Sequence, residues 1–167
     1  MEKKNKRWII SSAAVLMIMI IIFNFSSQNG TGSSEISTKV TRVICRIIFF
    51  DYEHMTAEQQ MFVVTHLHSF VRKLAHFAVY MMLGVFSYAA ILPYKKELKK
   101  PAFLALAVCA VYAVCDEIHQ HFVPGRSMRI RDMILDSVGS LFGIIILSIL
   151  IILFKHIKEE CIICRKK

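Results

Sequence analysis

Charged residues are scarce in this sequence, and long stretches of the chain contain none. Of the 167 residues, 20% are charged and 56% are hydrophobic, whereas soluble domains carry about 25% charged residues. The sequence also lacks internal repeats and the strict alternation of polar and apolar residues that is typical of half-buried strands. These absences argue against a soluble globule, a repeat protein and a sheet, and the length favours a single domain, residues 1–167.

Four apolar blocks are present instead, and each approaches the length of about 20 residues that crosses a bilayer. A soluble helical bundle would carry polar residues at every third or fourth position along its exposed faces, which these blocks do not. The first block is longer than the core of a signal peptide and no suitable cleavage site follows it, so we expect it to be retained. The sequence therefore predicts an all-α membrane protein with four transmembrane helices, at about 8–25, 71–92, 102–118 and 133–154.

The basic residues indicate how these spans are oriented. With the N-terminus inside, thirteen of the 21 lysines and arginines fall on the cytoplasmic side, at 3, 4, 6, 7, 95, 96, 99, 100, 155, 158, 165, 166 and 167. The inverted topology would place only eight there, so the positive-inside rule favours the first arrangement. We predict a multi-pass plasma-membrane protein with both termini cytoplasmic. The net charge of +9 then reflects topology, so the expected partner is the lipid bilayer and not nucleic acid.

The first outer region, residues 26–70, has three parts. Residues 26–36 are rich in Ser and Gly, which predicts a loop. Residues 37–50 place apolar and basic side chains on different helical faces, which predicts an amphipathic helix lying in the outer interface or packed on the bundle. Thr56 and Gln59 have the spacing of a capping box, and the helix that they open runs toward His68 and into the second span.

Polar side chains converge at the outer ends of three of the spans. Residues at the start of the second span, the end of the third span and the start of the fourth all lie on that side of the membrane. We predict that ten of these residues bind a ligand, and we call them the polar cluster. They are Arg72, Lys73, His76, Tyr80, Asp116, Glu117, Gln120, Arg126, Asp132 and Asp136. The inner halves of the same spans carry no such groups, which predicts a polar pocket open to the cell exterior.

Helical spacing and the cost of burying charge sharpen this expectation. Side chains four residues apart, as in Arg72, His76 and Tyr80, share one helical face. Charged groups within a membrane normally pair with each other or face a wet cavity, so we expect Arg72 or Arg126 to neutralise the carboxylates of the cluster. Glycines 139 and 143 allow another helix to approach closely and bring Asp136 toward the other two helices.

The chemistry of such a pocket is left open by the residues. His76 or Glu117 could act as a base in hydrolysis or transfer on a lipid-linked substrate, with Arg126 holding the anion. The pocket could instead bind an anionic lipid, a cell-wall intermediate or a drug without catalysis, or the cluster could be structural. In that last case Asp116 and Glu117 cap a helix end, and the histidines at 119 and 121 are exposed loop residues.

Metal and redox chemistry have weak support. His76, Glu117, His119 and His121 are of the right types, but His119 and His121 are two residues apart and cannot face one point on a helix. The CxxC pair at 161 and 164 is half a zinc site at most. Cys45 is alone in the outer region, so no disulfide is expected there. We predict no metal and no cofactor.

Three segments carry a family resemblance. They are FNFSSQ from residue 23, RKLAHFAVYMMLG from residue 72 and DEIHQHFVPGRSMRIRDMILDSVGSLFG from residue 116. They resemble the VanZ-like family of bacterial integral membrane proteins, and the matching residues in the last two segments are Lys73, His76, Phe77, Tyr80, Asp116, Glu117, Gln120, Pro124, Gly125, Arg126, Asp132, Gly139 and Gly143. Asp136 departs from the pattern, because the family commonly has Asn there.

The resemblance implies a single membrane domain of the cell envelope and a link to resistance against the glycopeptide teicoplanin. It implies no settled biochemical activity, so the mechanism has to come from the residues. We therefore expect a binding protein for an anionic lipid or cell-wall-related ligand, with a membrane hydrolase or transferase as the alternative.

Overall fold

The computed structural model describes residues 2–28, 30–92 and 98–165. Within them the chain is almost entirely helical and contains no strand. In chain order the helices are α1 (Glu2–Ser26), α2 (Gly30–Ile48), a 3-10 turn (Tyr52–His54), α3 (Ala57–Ile91), α4 (Lys99–His121) and α5 (Ile130–Arg165). This arrangement confirms the all-α prediction.

Four of these helices are long and apolar enough to cross a membrane, as the hydropathy pattern predicts. The candidate spans are Trp8–Ser26, Ala57–Ile91, Lys99–His121 and Ile130–Cys161. Large apolar side chains on their outer surfaces, such as Ile10, Phe103 and Phe154, are exposed in the isolated chain. In water such a surface would be unfavourable, so it is the surface that the bilayer covers.

The region between the first two spans is more helical than its composition suggests. The loop predicted at 26–36 is wrong over most of its length, because α2 begins at Gly30. Glycine costs about 1 kcal/mol per residue in a helix and serine costs less, and the packing of α2 on α3 offsets this cost. Cys45 is buried against Tyr52 and Val64. The opposite face leaves Ile47 and other apolar side chains exposed, as an amphipathic helix at the interface requires.

Helix α3 begins at a capping box and continues without a break into the second span. The Thr56 hydroxyl accepts a hydrogen bond from the Gln59 amide at 3.3 Å, and the Gln59 side chain accepts one from the Thr56 amide at 2.9 Å. The helix has 35 residues and is therefore about 52 Å long, whereas the hydrocarbon core is about 30 Å thick. Its first turns thus extend beyond the apolar core of the membrane.

Glycines bring α3 and α5 into backbone contact. A Cβ atom added at Gly84 would overlap the backbone carbonyl of Ser140, and one added at Gly143 would overlap that of Met81. At Gly139 the added atom would lie 2.7 Å from the carbonyl oxygen of Phe77. The close approach places Asp136, one turn before Gly139, beside the face of α3 that carries His76.

Candidate functional site

The polar cluster gathers where α3, α4 and α5 meet, at the end of the bundle that carries the 122–129 loop. Asp136 is 1% exposed, Glu117 2% and Asp116 4%. Carboxylates are rarely buried to this extent unless they are paired. The surroundings of each one therefore indicate what the site is built to hold.

Asp116 joins α4 to the end of α1. Its Oδ2 atom accepts hydrogen bonds from the Ser26 hydroxyl and from the Gln120 amide, both at 2.9 Å. The same Gln120 nitrogen also donates to the Ser26 hydroxyl at 3.2 Å. Because all three side chains are buried, the network fixes the orientation of the Asp116 carboxylate. The polar cluster had not included Ser26, although the FNFSSQ motif contains it.

Glu117 holds the loop that connects α4 to α5. Its Oε2 atom accepts a hydrogen bond from the backbone amide of Arg129 at 2.8 Å. The loop turns at Gly125, whose φ of 78° is the left-handed conformation that glycine adopts without strain. At the rim of the site, the Lys73 ammonium lies 3.4 Å from the Asp132 carboxylate.

Asp136 faces His76 without a hydrogen bond. Its Oδ2 atom lies 3.8 Å from the Nδ1 atom of His76, which is beyond hydrogen-bonding distance. Both carboxylate oxygens of Asp136 are fully buried without a hydrogen-bond partner, and so is the Tyr80 hydroxyl. A buried carboxylate without such partners is energetically costly. The Asp136 carboxylate would therefore be stabilised by a hydrogen-bond donor or a cation.

Arg126 does not pair with the carboxylates as expected, and nor does Arg72. Within the described ranges, no ion pair joins either arginine to Asp116, Glu117 or Asp136. The Arg126 Nη2 atom instead donates to the carbonyl oxygen of Phe25 at 2.8 Å, because the C-terminal end of α1 offers unpaired carbonyl groups. Hydroxyl, amide and backbone donors hold Asp116 and Glu117 in place of a guanidinium.

The Arg126 guanidinium is poorly compensated in this position. Its Nε atom is buried without a hydrogen-bond partner. Burial lowers the pKa of Arg126 from its usual value, and the nearby Arg72 cation lowers it further, while Asp116 and Glu117 oppose the shift. An arginine stays charged at neutral pH despite such effects, so the site contains a cation with an unused donor.

Two cavities meet at these residues. The polar cavity has a volume of about 80 Å³ and is lined by charged and polar groups that include Arg72, Lys73, His76, Glu117, Gln120, Arg126, Arg129, Asp132 and Asp136. The apolar cavity has a volume of about 290 Å³ and is lined mainly by side chains of α1, α2 and α3, among them Ile22, Phe25, Val40, Val71, Val79 and Tyr80. Arg72, His76 and Arg126 line both cavities.

The structure thus brings most of the polar cluster together. Of the nine polar-cavity residues just named, all except Arg129 were ligand-binding candidates. The remaining two candidates differ: Tyr80 lines the apolar cavity, and Asp116 lines neither cavity. His119 and His121 are not part of the site. The His119 ring stacks on Phe23 with 4.5 Å between ring centroids and lies 3.0 Å from the Ser27 hydroxyl. His121 is exposed. Both histidines lie in α4 and not in a loop. The expectation of exposed loop residues is therefore wrong for His119, which α1 covers, and holds for His121 only in its exposure.

Comparison with known families gives one match over most of the chain. A model of the VanZ/LLP1 family matches residues 12–153, which include all four spans in large part and the whole polar cluster. Neither the curated proteins nor the solved structures give a significant match. The matched range, the four apolar helices and the motif residues around the site agree, and the chain therefore belongs to the VanZ/LLP1 family.

Proposed function

We propose that this chain is a cell-envelope membrane protein that binds an anionic lipid or a lipid-linked cell-wall intermediate through its phosphate group. The observation that carries the proposal is that Arg72, His76 and Arg126 line both cavities. A lipid phosphate in the polar cavity would lie beside these cations, and its hydrocarbon chain would enter the apolar cavity. The two cavities together match the two halves of an amphipathic ligand.

The balance of charge in the polar cavity supports an anionic ligand. Lys73 already faces Asp132, and His76 faces Asp136. Arg72 and Arg126 repel each other, and neither forms an ion pair with a carboxylate among the described residues. Arginine donors bind phosphate oxygens strongly, so a phosphate between these two groups would relieve the repulsion and satisfy the buried Nε atom of Arg126.

The polar cavity is too small to enclose a drug-sized ligand. Sites that enclose drug-sized ligands have volumes of about 300–1,000 Å³, whereas the polar cavity has about 80 Å³. It accommodates a headgroup phosphate but not a glycopeptide. The family resemblance implies a link to teicoplanin resistance. If this chain has that role, it acts by binding an envelope lipid and not by binding the antibiotic directly.

The proposal requires the site to face the cell exterior, with both termini in the cytoplasm. A cysteine introduced at exposed Ser127 should react with a membrane-impermeant maleimide in intact cells. A cysteine introduced at exposed Lys155 should react only after permeabilisation, and the wild-type chain controls for its own thiols. The reverse pattern of labelling would contradict the proposed orientation and, with it, access to the site from the envelope.

Lipid binding is tested by native mass spectrometry of detergent-extracted protein titrated with phosphatidylglycerol and, as a neutral comparison, phosphatidylcholine. We expect phosphatidylglycerol to bind preferentially and the Arg126→Ala variant to bind it roughly 10–100-fold more weakly, the effect of losing a hydrogen bond to a charged group, about 1.5–3 kcal/mol. Arg131, which is exposed and outside both cavities, provides the matched control as Arg131→Ala.

Because Arg126 also contacts Phe25, its loss could act through the fold. Arg72 forms no hydrogen bond or ion pair with the residues that the structure describes, so Arg72→Ala removes a cavity cation alone and separates the two explanations. Weaker binding by both cavity variants supports the proposal. Equal binding by Arg72→Ala and Arg131→Ala would contradict it.

The second candidate function is hydrolysis or transfer on the same lipid. This function is favoured because His76 and Glu117 line the same polar cavity, and both side chains can transfer protons. In that case Glu117→Gln should abolish release of product from a lipid-linked phosphate substrate and leave lipid binding intact. If the wild-type protein releases no product, binding without catalysis remains.

A further inference from the structure

Three potential metal ligands meet deep in the site, one from each of α3, α4 and α5. His76, Asp116 and Asp136 each offer a ligand atom, and these three atoms lie within 4.8 Å of one another. In a tetrahedral zinc site with bonds of about 2.0–2.1 Å, ligand atoms are about 3.3 Å apart. A closure of at most about 1.5 Å between any two of these atoms would therefore bring the three around one ion.

The second observation is the state of the ligands themselves. Asp136 is almost fully buried, and neither of its carboxylate oxygens has a hydrogen-bond partner. The buried Tyr80 hydroxyl also has no hydrogen-bond partner among the described residues. A protonated His76 would compensate only one of the two carboxylates, whereas a divalent cation compensates both.

Asp116 is held in the manner of a metal ligand. Both of its hydrogen bonds, from Ser26 and from Gln120, go to Oδ2, which leaves Oδ1 for a further partner. Metal-binding carboxylates are commonly oriented by such outer hydrogen bonds. The Ser26 contact also means that the end of α1 covers Asp116.

We propose that His76, Asp116 and Asp136 bind one divalent metal ion, Zn²⁺ or Mn²⁺. Imidazole suits zinc and carboxylates suit manganese, so this mixed set is appropriate to either ion. Three protein ligands leave at least one coordination position open. Since His76 and Asp136 line the polar cavity, that position faces the cavity. The inference does not rest on the proposed lipid, because it depends only on these three residues.

The test uses full-length protein purified without a polyhistidine tag, freed of metal with a chelator and equilibrated by dialysis with Zn²⁺ or Mn²⁺. Cys161→Ser and Cys164→Ser are included throughout, because the CxxC pair can bind zinc independently. We expect about one ion per chain of one of the two metals. Asp136→Asn should weaken binding by at least about tenfold, since even the loss of an outer partner has effects of this size.

The matched control is Asp51→Asn, which makes the same chemical change at an exposed carboxylate. It should bind the ion as the parent protein does, and Co²⁺ in place of the ion should give a visible absorption band that Asp136→Asn lacks. If Asp136→Asn is not recovered as folded protein, His76→Gln serves the same comparison. Absence of stoichiometric binding, or equal binding by the Asp136 and Asp51 variants, would show an adventitious ion only and would overturn the inference.

Discussion

Replacement of Gly84 by alanine is expected to destabilise the protein strongly, because it disrupts the contact between α3 and α5. The added methyl group would overlap the backbone carbonyl of Ser140 on α5. Overpacking in a well-packed core costs about 1–3 kcal/mol when flexible side chains can shift. Here the neighbour is backbone, so α3 and α5 must separate and the loss should exceed about 3 kcal/mol. Thermal unfolding of the detergent-solubilised protein measures it.

Two further variants locate the cause of this effect. Gly143→Ala should destabilise as strongly, because its Cβ would meet the Met81 carbonyl on the same interface. Ala13→Val adds bulk to an exposed position of α1 and should leave the unfolding midpoint unchanged. A Gly84→Ala protein that unfolds at the wild-type temperature would mean that α3 and α5 do not pack in this register.

Asp116→Ala is also expected to give a large loss of stability. It removes two hydrogen bonds to a buried carboxylate, leaves the Ser26 hydroxyl without its acceptor and leaves the Gln120 amide with only its bond to Ser26. Hydrogen bonds to charged groups contribute about 1.5–3 kcal/mol each, so we expect a loss of about 3 kcal/mol or more in metal-free buffer. The same thermal unfolding experiment measures the change.

The controls for Asp116 separate the network from general effects of charge. Asp116→Asn keeps an oxygen acceptor and should lose clearly less than Asp116→Ala. Asp51→Ala removes an exposed carboxylate and should have no measurable effect. In a double-mutant cycle, Ser26→Ala and Asp116→Ala should be less than additive, because they remove the same contact. Fully additive effects would contradict a direct bond between α1 and α4.

The transmembrane architecture was predictable because burial in lipid imposes a simple requirement on sequence. A helix that crosses the bilayer must satisfy its own backbone and present apolar side chains over about 20 residues. The runs around Leu16, Leu83, Leu106 and Ile146 meet this condition. The gathering of His76 with the acidic residues of α4 and α5 followed from the same physics, since polar groups in a membrane helix face other helices.

The partners of each polar group were less predictable, because they depend on side-chain geometry across helices. Charge alone favoured ion pairs for Arg72 and Arg126, but the free carbonyl groups at the end of α1 lie closer to Arg126. Ser26 was missed because two serines after an apolar run look like the start of a loop. The start of α2 was missed because contact with α3 outweighs the weak helix propensity of serine and glycine.

Helix α3 is uninterrupted, and it carries both the residues on which α2 packs and the first residues of the site. Val64 packs with Cys45 of α2, and His76 lies twelve residues farther along α3, about 18 Å away. If α3 tilts as a rigid rod by about 5° around Val64, the His76 imidazole moves by roughly 1.6 Å, because it lies about 18 Å from that point. Helix α3 therefore links α2 to the partly exposed imidazole of His76, and a tilt of α3 would change the spacing between that ring and Asp136.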